Sequence, residues 1–176
     1  MTKEFEAHVL DIDVEDIKKK LRDLGAEEEP EVLMKRWVFG MGVEYDWIRL
    51  RHNGKNTTLA HKKKTGQDIS ETEEIEVIVD DFDKTAEILS KIGFKNSYYQ
   101  ENKRHFFKLN AIEFCIDTWP KIPSHLEVES FSEEKVLEGL RLLGLEGKDS
   151  GNLSIKDIYL KYGIDLHSFN AIKFDL

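Results

Sequence analysis

The sequence predicts an α+β fold in which about eight antiparallel strands curl into a closed barrel flanked by helices. Three observations carry this expectation. Apolar and polar residues alternate with period two along much of the 176-residue chain, the alternating segments are joined mostly by hairpin-length turns, and only a few stretches show helical spacing. Short connections favour antiparallel pairing. Many strands in a short chain favour closure, which leaves no exposed sheet edge.

Residues 2–10 place Glu4, Glu6 and His8 on one face and Phe5, Ala7 and Val9 on the other, as a strand does. Asp13 then reads as an N-cap, with Val14, Ile17, Leu21 and Leu24 at helical spacing until Gly25. Met34 to Phe39 and Tyr45 to Arg51 read as strands across a Gly40-Met41-Gly42 turn, and Asn53-Gly54 is a hairpin signal leading into Thr57 to Lys63. Thr72 to Val79 is a further strand. Phe82 to Ile92, ended by Gly93, is an amphipathic helix; Phe94 to Tyr99 and Lys103 to Leu109 are strand-like. Asn110-Ala111 turns the chain into Ile112 to Trp119. Beyond the loop Pro120 to Pro123 follow a strand, Leu126 to Phe131, a helix, Ser132 to Leu143, whose apolar face suits covering the sheet, and a last helix near Ile155 to Tyr162. Strand–helix–strands over 2–64 repeats coarsely over 72–131 with no linker-like break, so residues 1–176 are expected to form one domain.

The chain is 40% hydrophobic and 35% charged, with 35 acidic against 26 basic residues and a formal net charge of −9. That field repels polyanions, so nucleic acid is not an expected partner. The lone cysteine, Cys115, lies in an apolar run, excludes an intramolecular disulfide and reads as a buried strand thiol in a reducing compartment. No leader pattern and no run approaching ~18 apolar residues is present, so the expectation is a cytoplasmic protein with no membrane span.

Charge placement is the informative feature. Glu74 and Glu76 flank Ile75, Glu127 and Glu129 flank Val128, Arg49 and Arg51 flank Leu50, and Asp117 lies opposite in parity to Phe114 and Ile116. Other pairs at the same spacing, Glu27/Glu29, Glu29/Glu31 and Glu71/Glu73, sit in turn-like or non-alternating surroundings and read as solvated surface. A face bearing Glu4, Glu6, Glu74, Glu76, Asp117, Glu127 and Glu129 repels itself unless cations sit among them. Hard divalent ions, Mg²⁺ or Mn²⁺, suit an all-oxygen set. Arg49, Arg51, Lys62 and Arg104 on such a face suit phosphate, which arginine grips with a bidentate fork. Strand parity selects Lys62 over the neighbouring Lys63; Lys103 and Arg104 point to opposite faces, and Arg104 is the preferred phosphate ligand with Lys103 at the surface. His52, His61, His105, His125 and His167 show no zinc-type spacing and read as surface or core. Trp37, Trp47 and Trp119 read as packing residues rather than a base-stacking platform.

These motifs resemble those of CYTH-domain proteins, the triphosphate tunnel metalloenzymes, over nearly the whole chain. The family's Glu-x-Glu-x-Lys falls on Glu4, Glu6 and His8, its Arg-x-Arg on Arg49 and Arg51, its strand lysine on Lys62 and its central Glu-x-Glu on Glu74 and Glu76. Its later arginine falls on Arg104, its aspartate on Asp117 and its closing Glu-x-Glu on Glu127 and Glu129. The resemblance implies an eight-stranded tunnel whose carboxylates hold one or two divalent ions and whose basic residues, His8 among them, grip a triphosphate. It implies a metal-dependent triphosphatase, with a class IV adenylate cyclase and a non-catalytic phosphate-sensing module as the alternatives. Assembly, a homodimer included, is left open. Two departures stand out: His8 occupies a lysine position, and Asp117-Thr118-Trp119-Pro120-Lys121-Ile122-Pro123 replaces a glycine-containing turn. That segment and the tail Ile158 to Asp165 resemble a bacterial branch labelled as class IV adenylate cyclase.

Overall fold

The computed structural model describes residues 2–41, 46–64, 71–94 and 97–175. Eight long strands form one curled antiparallel sheet: β1 (Thr2–Val9), β3 (Val32–Gly40), β4 (Asp46–His52), β5 (Thr57–Lys64), β6 (Glu71–Val79), β7 (Ser97–Leu109), β8 (Ile112–Thr118) and β9 (His125–Ser130). Two-residue strands β2 (Glu27–Glu28) and β10 (Ala171–Ile172) complete it. Among the described residues four α-helices flank the sheet: α1 (Val14–Asp23), α2 (Phe82–Lys91), α3 (Glu133–Leu142) and α4 (Ile155–Lys161). The expected α+β class is therefore what the chain adopts, its antiparallel strands curled as a half-barrel where the sequence predicts a closed barrel. Gly42, Tyr45, Lys95 and Asn96, assigned above to a turn and to strand ends, lie outside the described residues.

Pairing runs β7-β3-β4-β5-β6-β1-β9-β8, and β8 also pairs with β7 along Lys103–Leu109. Strand β7 is the hub. One of its edges carries β3 and then β2, the other β10, in parallel, and then β8. The sequence divides β7 in two because Gln100-Glu101-Asn102 interrupts the apolar pattern, yet all three are buried. Gln100 and Asn102 face an internal cavity, while Glu101 accepts hydrogen bonds from the Tyr99 hydroxyl (2.9 Å) and the Phe174 N–H (3.3 Å). Satisfied polar groups substitute for apolar ones there. Strands β2 and β10 are too short to show any periodicity.

Helices cover the outside. Asp13 caps α1 by accepting from the N–H groups of Glu15 and Asp16, and Ser132 caps α3 by accepting from Lys135. Together α1 and α3 lay Ile17, Leu21, Val136 and Leu140 over Ala7, Phe114 and Val128, all buried. Each such large side chain contributes about 1.5–3 kcal/mol on burial. Leu89 of α2 packs on Phe39 and Leu50, and α4 packs Ile158 and Tyr159 with Trp119, Ile122 and Leu166. With Ala7 and Val9 fixed outward under helices, pleat parity turns Glu6 and His8 inward.

Where α3 crosses the sheet, a methyl on Gly139 would lie 2.9 Å from Val128 Cγ1 and 3.0 Å from Ile112 Cγ2. Those β-branched side chains have little room to rotate away. Gly139→Ala is therefore expected to destabilise the protein by about 1–3 kcal/mol through overpacking, outweighing the gain of about 1 kcal/mol in helix propensity. Urea denaturation checks this; a stabilised variant would show that the sheet yields to the helix.

Candidate active site

The inward faces of the strands line a cavity of about 610 Å³. Register decides what meets there. Glu6 on β1, Glu129 on β9 and Glu113 on β8 are direct cross-strand neighbours, as are His8, Glu127 and Cys115 one step along. Like charges directly opposite one another destabilise a sheet. Lys108 answers Glu113 at 3.3 Å. Carboxylate oxygens of Glu6, Glu127 and Glu129 gather within 4.8 Å of one another, a compact all-oxygen set matching the chemistry of a hard divalent cation.

Glu127 is the pivot of this cluster. Burial alone would raise its pKa, but Arg104, then His8 and Lys62, hold it well below the usual carboxylate range. Arg104 Nη2 donates to it at 3.0 Å, and His8 Nε2 lies 3.4 Å away. For His8, burial disfavours the cation, but the hydrogen bond and charge of Glu127, with Glu6 and Asp117 beyond, more than offset this and raise its pKa. The Leu153 N–H donates to His8 Nδ1 at 3.3 Å, an interaction that only the neutral ring accepts. His8 is thus a proton-bearing group whose two ring nitrogens face opposite demands.

Ion pairs interleave across the basic wall. Glu74 binds Arg49 and Lys62, each at 3.0 Å, and Glu76 lies 3.5 Å from Arg49 and 3.8 Å from Arg51. Arg104 makes a two-point contact with Asp117, whose Oδ1 also accepts from Asn102 Nδ2 at 2.8 Å. Arg51 is pushed down to about 10, first by Arg49 and then by burial and Arg104. The Nε atoms of Arg49 and Arg51 are buried without a hydrogen-bond partner among the described residues. Such crowding of guanidinium groups favours an incoming anion.

Of the residues singled out in the sequence, Glu6, His8, Arg49, Arg51, Lys62, Glu74, Glu76, Arg104, Asp117, Glu127 and Glu129 all line this cavity. The Glu4 side chain lies outside the described residues. Glu74, Glu76 and Asp117 stand apart from the carboxylate cluster, engaged by basic residues. Lys63 and Lys103 are exposed, as parity indicates.

Among the lining residues that sequence reasoning missed are Arg36, Gln100, Asn102, Cys115, Trp119 and His125. Cys115 and His125 share strand parity with Asp117 and Glu127, a signal that was present; nothing in the alternation of Met34, Arg36 and Val38 marks Arg36. His125 is buried with Nδ1 unpartnered among the described residues, and burial, against the pull of Asp117, lowers its pKa to about 4. His61 and His105 instead pair with Asp46 (2.6 Å) and Glu28 (2.9 Å). His52 contacts Thr57, and the His167 side chain lies outside the described residues. Trp37 packs against Phe39 and Tyr99, whereas Trp47 and Trp119 line the cavity.

No protein-family model and no curated protein matches the chain. Solved structures do. A protein from Pyrococcus horikoshii OT3 aligns at TM-score 0.77 and 22% identity, covering 85% of this chain and 96% of that one. A candidate adenylate cyclase from Vibrio parahaemolyticus aligns at TM-score 0.73 and 13% identity over 90% and 98% of the two chains. A candidate adenylyl cyclase from Hippeastrum, described as having a dominant triphosphatase activity, aligns at TM-score 0.58 and 13% identity over 94% and 99%. At these identities the likeness is one of fold. No helix among the described residues is long and apolar enough to cross a membrane.

His125 sets a pH dependence whose sign follows from its depressed pKa. The unfolded chain takes up this proton near pH ~6.5 and the folded one near pH 4, so stability is full above ~6.5 and falls as pH drops toward 4. Over that window His125 is expected to withdraw about 3 kcal/mol. His125→Gln should flatten the decline in denaturation experiments on metal-free protein, and NMR titration should find the wild-type ring neutral at pH 5. A ring that titrates near pH 6.5 would contradict this.

Proposed function

Because the chain carries the fold of the CYTH-type, triphosphate-tunnel proteins, we propose that it is a metal-dependent hydrolase of triphosphate substrates. The observation that carries this reading is one cavity with two chemistries: carboxylates of Glu6, Glu127 and Glu129 from β1 and β9, and guanidinium and ammonium groups of Arg49, Arg51 and Lys62 from β4 and β5. We read the β7–β8 ladder as closing the sheet into a tunnel, which sets β9 across from β4. Residues 1–176 act on this reading as a single domain.

Glu6, Glu127 and Glu129 are the residues that would hold Mg²⁺ or Mn²⁺, and their compact oxygen set fits such an ion. When bound there, the ion supplies neutralisation of non-bridging phosphate oxygens. The remaining work belongs to the chain. Arg49, Arg51, Lys62 and Arg104 bind the phosphates and stabilise charge that builds on the leaving oxygens as water attacks the terminal phosphorus in line. Their ion pairs with Glu74, Glu76 and Asp117 hold these side chains in place beforehand, so little reorganisation remains at the moment of reaction. His8, between Glu127 and the Leu153 N–H, can hold or release a proton at Nε2 beside the carboxylate cluster. Burial of His8 and Glu127 keeps the local dielectric low, which strengthens each of these interactions.

Incubating the protein with tripolyphosphate, ATP or thiamine triphosphate and Mg²⁺ or Mn²⁺ tests the reading. Orthophosphate release that a chelator abolishes is the expected result. Cyclic AMP with pyrophosphate from ATP would replace it with the cyclase reading, and tight binding without turnover with a sensing role. The double change Glu6→Gln and Glu129→Gln is expected to lower metal-dependent release roughly 100-fold or more while leaving the fold intact. Retained activity would move the metal elsewhere in the cavity.

A further inference from the structure

Arg36 stands out among the cations of this cavity. Arg49, Arg51, Lys62 and Arg104 each meet a carboxylate, whereas Arg36 has, among the described residues, a hydrogen bond from Nε to Gln100 Oε1 (2.9 Å), a ring contact and no ion pair. Its guanidinium carbon sits 4.3 Å from the Trp119 ring centroid. Stacking on an aromatic face and one fixed hydrogen bond orient the group without neutralising it. Trp119 is itself buried at the same cavity, with Nε1 unpartnered among the described residues. Burial and then Arg49, with Arg104 and Arg51, push Arg36 down to about 9, and Asp117 pulls the other way. The site around it is short of negative charge.

Position gives this meaning. Strand β3 is four steps from β1 in either direction around the ladder, so Arg36 enters the cavity from the wall facing Glu6 and His8. It is also the direct cross-strand neighbour of Arg51 on β4 and of Gln100 on β7. Two arginines paired across a sheet repel one another unless an anion joins them.

We propose that Arg36, laid on Trp119 and steered by Gln100, is an additional phosphate-binding residue of the tunnel, taking oxygens of the polyphosphate chain beside Arg51. This rests on the triphosphate reading above. It extends the grip from β4, β5 and β7 onto β3, a strand from which the sequence offers no candidate. The planar fork is what the role requires, since a bidentate contact is beyond a lysine ammonium.

Isothermal titration of tripolyphosphate at fixed ionic strength, with Ca²⁺ as the accompanying divalent cation and with phosphate release assayed in parallel to establish that no turnover occurs, tests the assignment. Arg36→Gln is expected to weaken binding roughly tenfold or more, with Arg36→Lys recovering only part of the loss. Arg36→Gln protein that binds as tightly as wild type overturns the assignment and leaves the triphosphate reading standing. Wild-type protein that binds neither tripolyphosphate nor pyrophosphate overturns both. Should the variants fold poorly, Trp37→Phe with Trp47→Phe leaves Trp119 as the single tryptophan. Its emission is then expected to change as tripolyphosphate saturates the site, and a flat titration would exclude a ligand at Arg36.

Discussion

Removing an ionised group from water costs far more than any single contact returns, so a cavity lined with charges holds together only if opposite charges interleave. This constraint organises the interior. Glu74 between Arg49 and Lys62, and Asp117 between Arg104 and Asn102, are the local solutions. Each links strands that already pair in the sheet or lie one strand apart, so the electrostatics and the backbone ladder support the same register. A one-residue slip of β6 would turn Glu74 and Glu76 outward and leave Arg49 and Lys62 buried without them. In the carboxylate cluster on β1 and β9, Arg104 and His8 reach Glu127.

Much of this was legible in the sequence because pleat parity is a binary signal. Alternation about Ile75, Val128 and Leu50 indicated which residues share a face, and Lys62 and Arg104 line the cavity while Lys63 and Lys103 are exposed. What alternation lacks is depth and partner. It gave Glu74, Glu76, Asp117 and the Glu127 pair equal standing as metal-side residues, whereas register across β5 and β6 hands Glu74 to Lys62 and register across β7 and β8 hands Asp117 to Arg104. Strand β7 was divided for a related reason. Gln100 and Asn102 read as a polar break in one dimension but face the cavity in three, where polar groups belong. Arg36, beside Lys35 in a strand with no Arg-x-Arg or Glu-x-Glu motif, carried no signal of its own.

The chain beyond the sheet is tied into the same network. The Ser150 N–H donates to the His8 carbonyl at 2.7 Å, the His8 N–H to the Gly151 carbonyl at 3.0 Å and the Leu153 N–H to His8 Nδ1. Residues 150–153 therefore lie along β1 and close one side of the cavity, before Ser154 and Asp157 form a reciprocal cap on α4. A lysine at position 8 has no acceptor to offer the Leu153 N–H. The histidine at the position where the resemblance places a lysine is thus compatible with this particular covering segment in a way that lysine is not. The departure in charge chemistry at position 8 and the placement of the tail belong to one structural solution.

Charge balance decides how an anion enters such a cavity. Nine carboxylate side chains line it, Asp46 and Asp157 included, against six permanent cations, Lys156 included, so the lining carries net negative charge despite its arginines. The whole chain adds a formal net charge of −9. A bare triphosphate approaching this interior meets repulsion from the Glu6–Glu129 side before the guanidinium groups can hold it. With divalent cations accompanying it the sign reverses, because the cluster that repels phosphate is the one that attracts the ion. On the proposed reading the metal is therefore a condition of substrate binding as well as of the chemical step. The arginine wall alone would make a phosphate trap, and the carboxylates make its occupancy conditional on the cation.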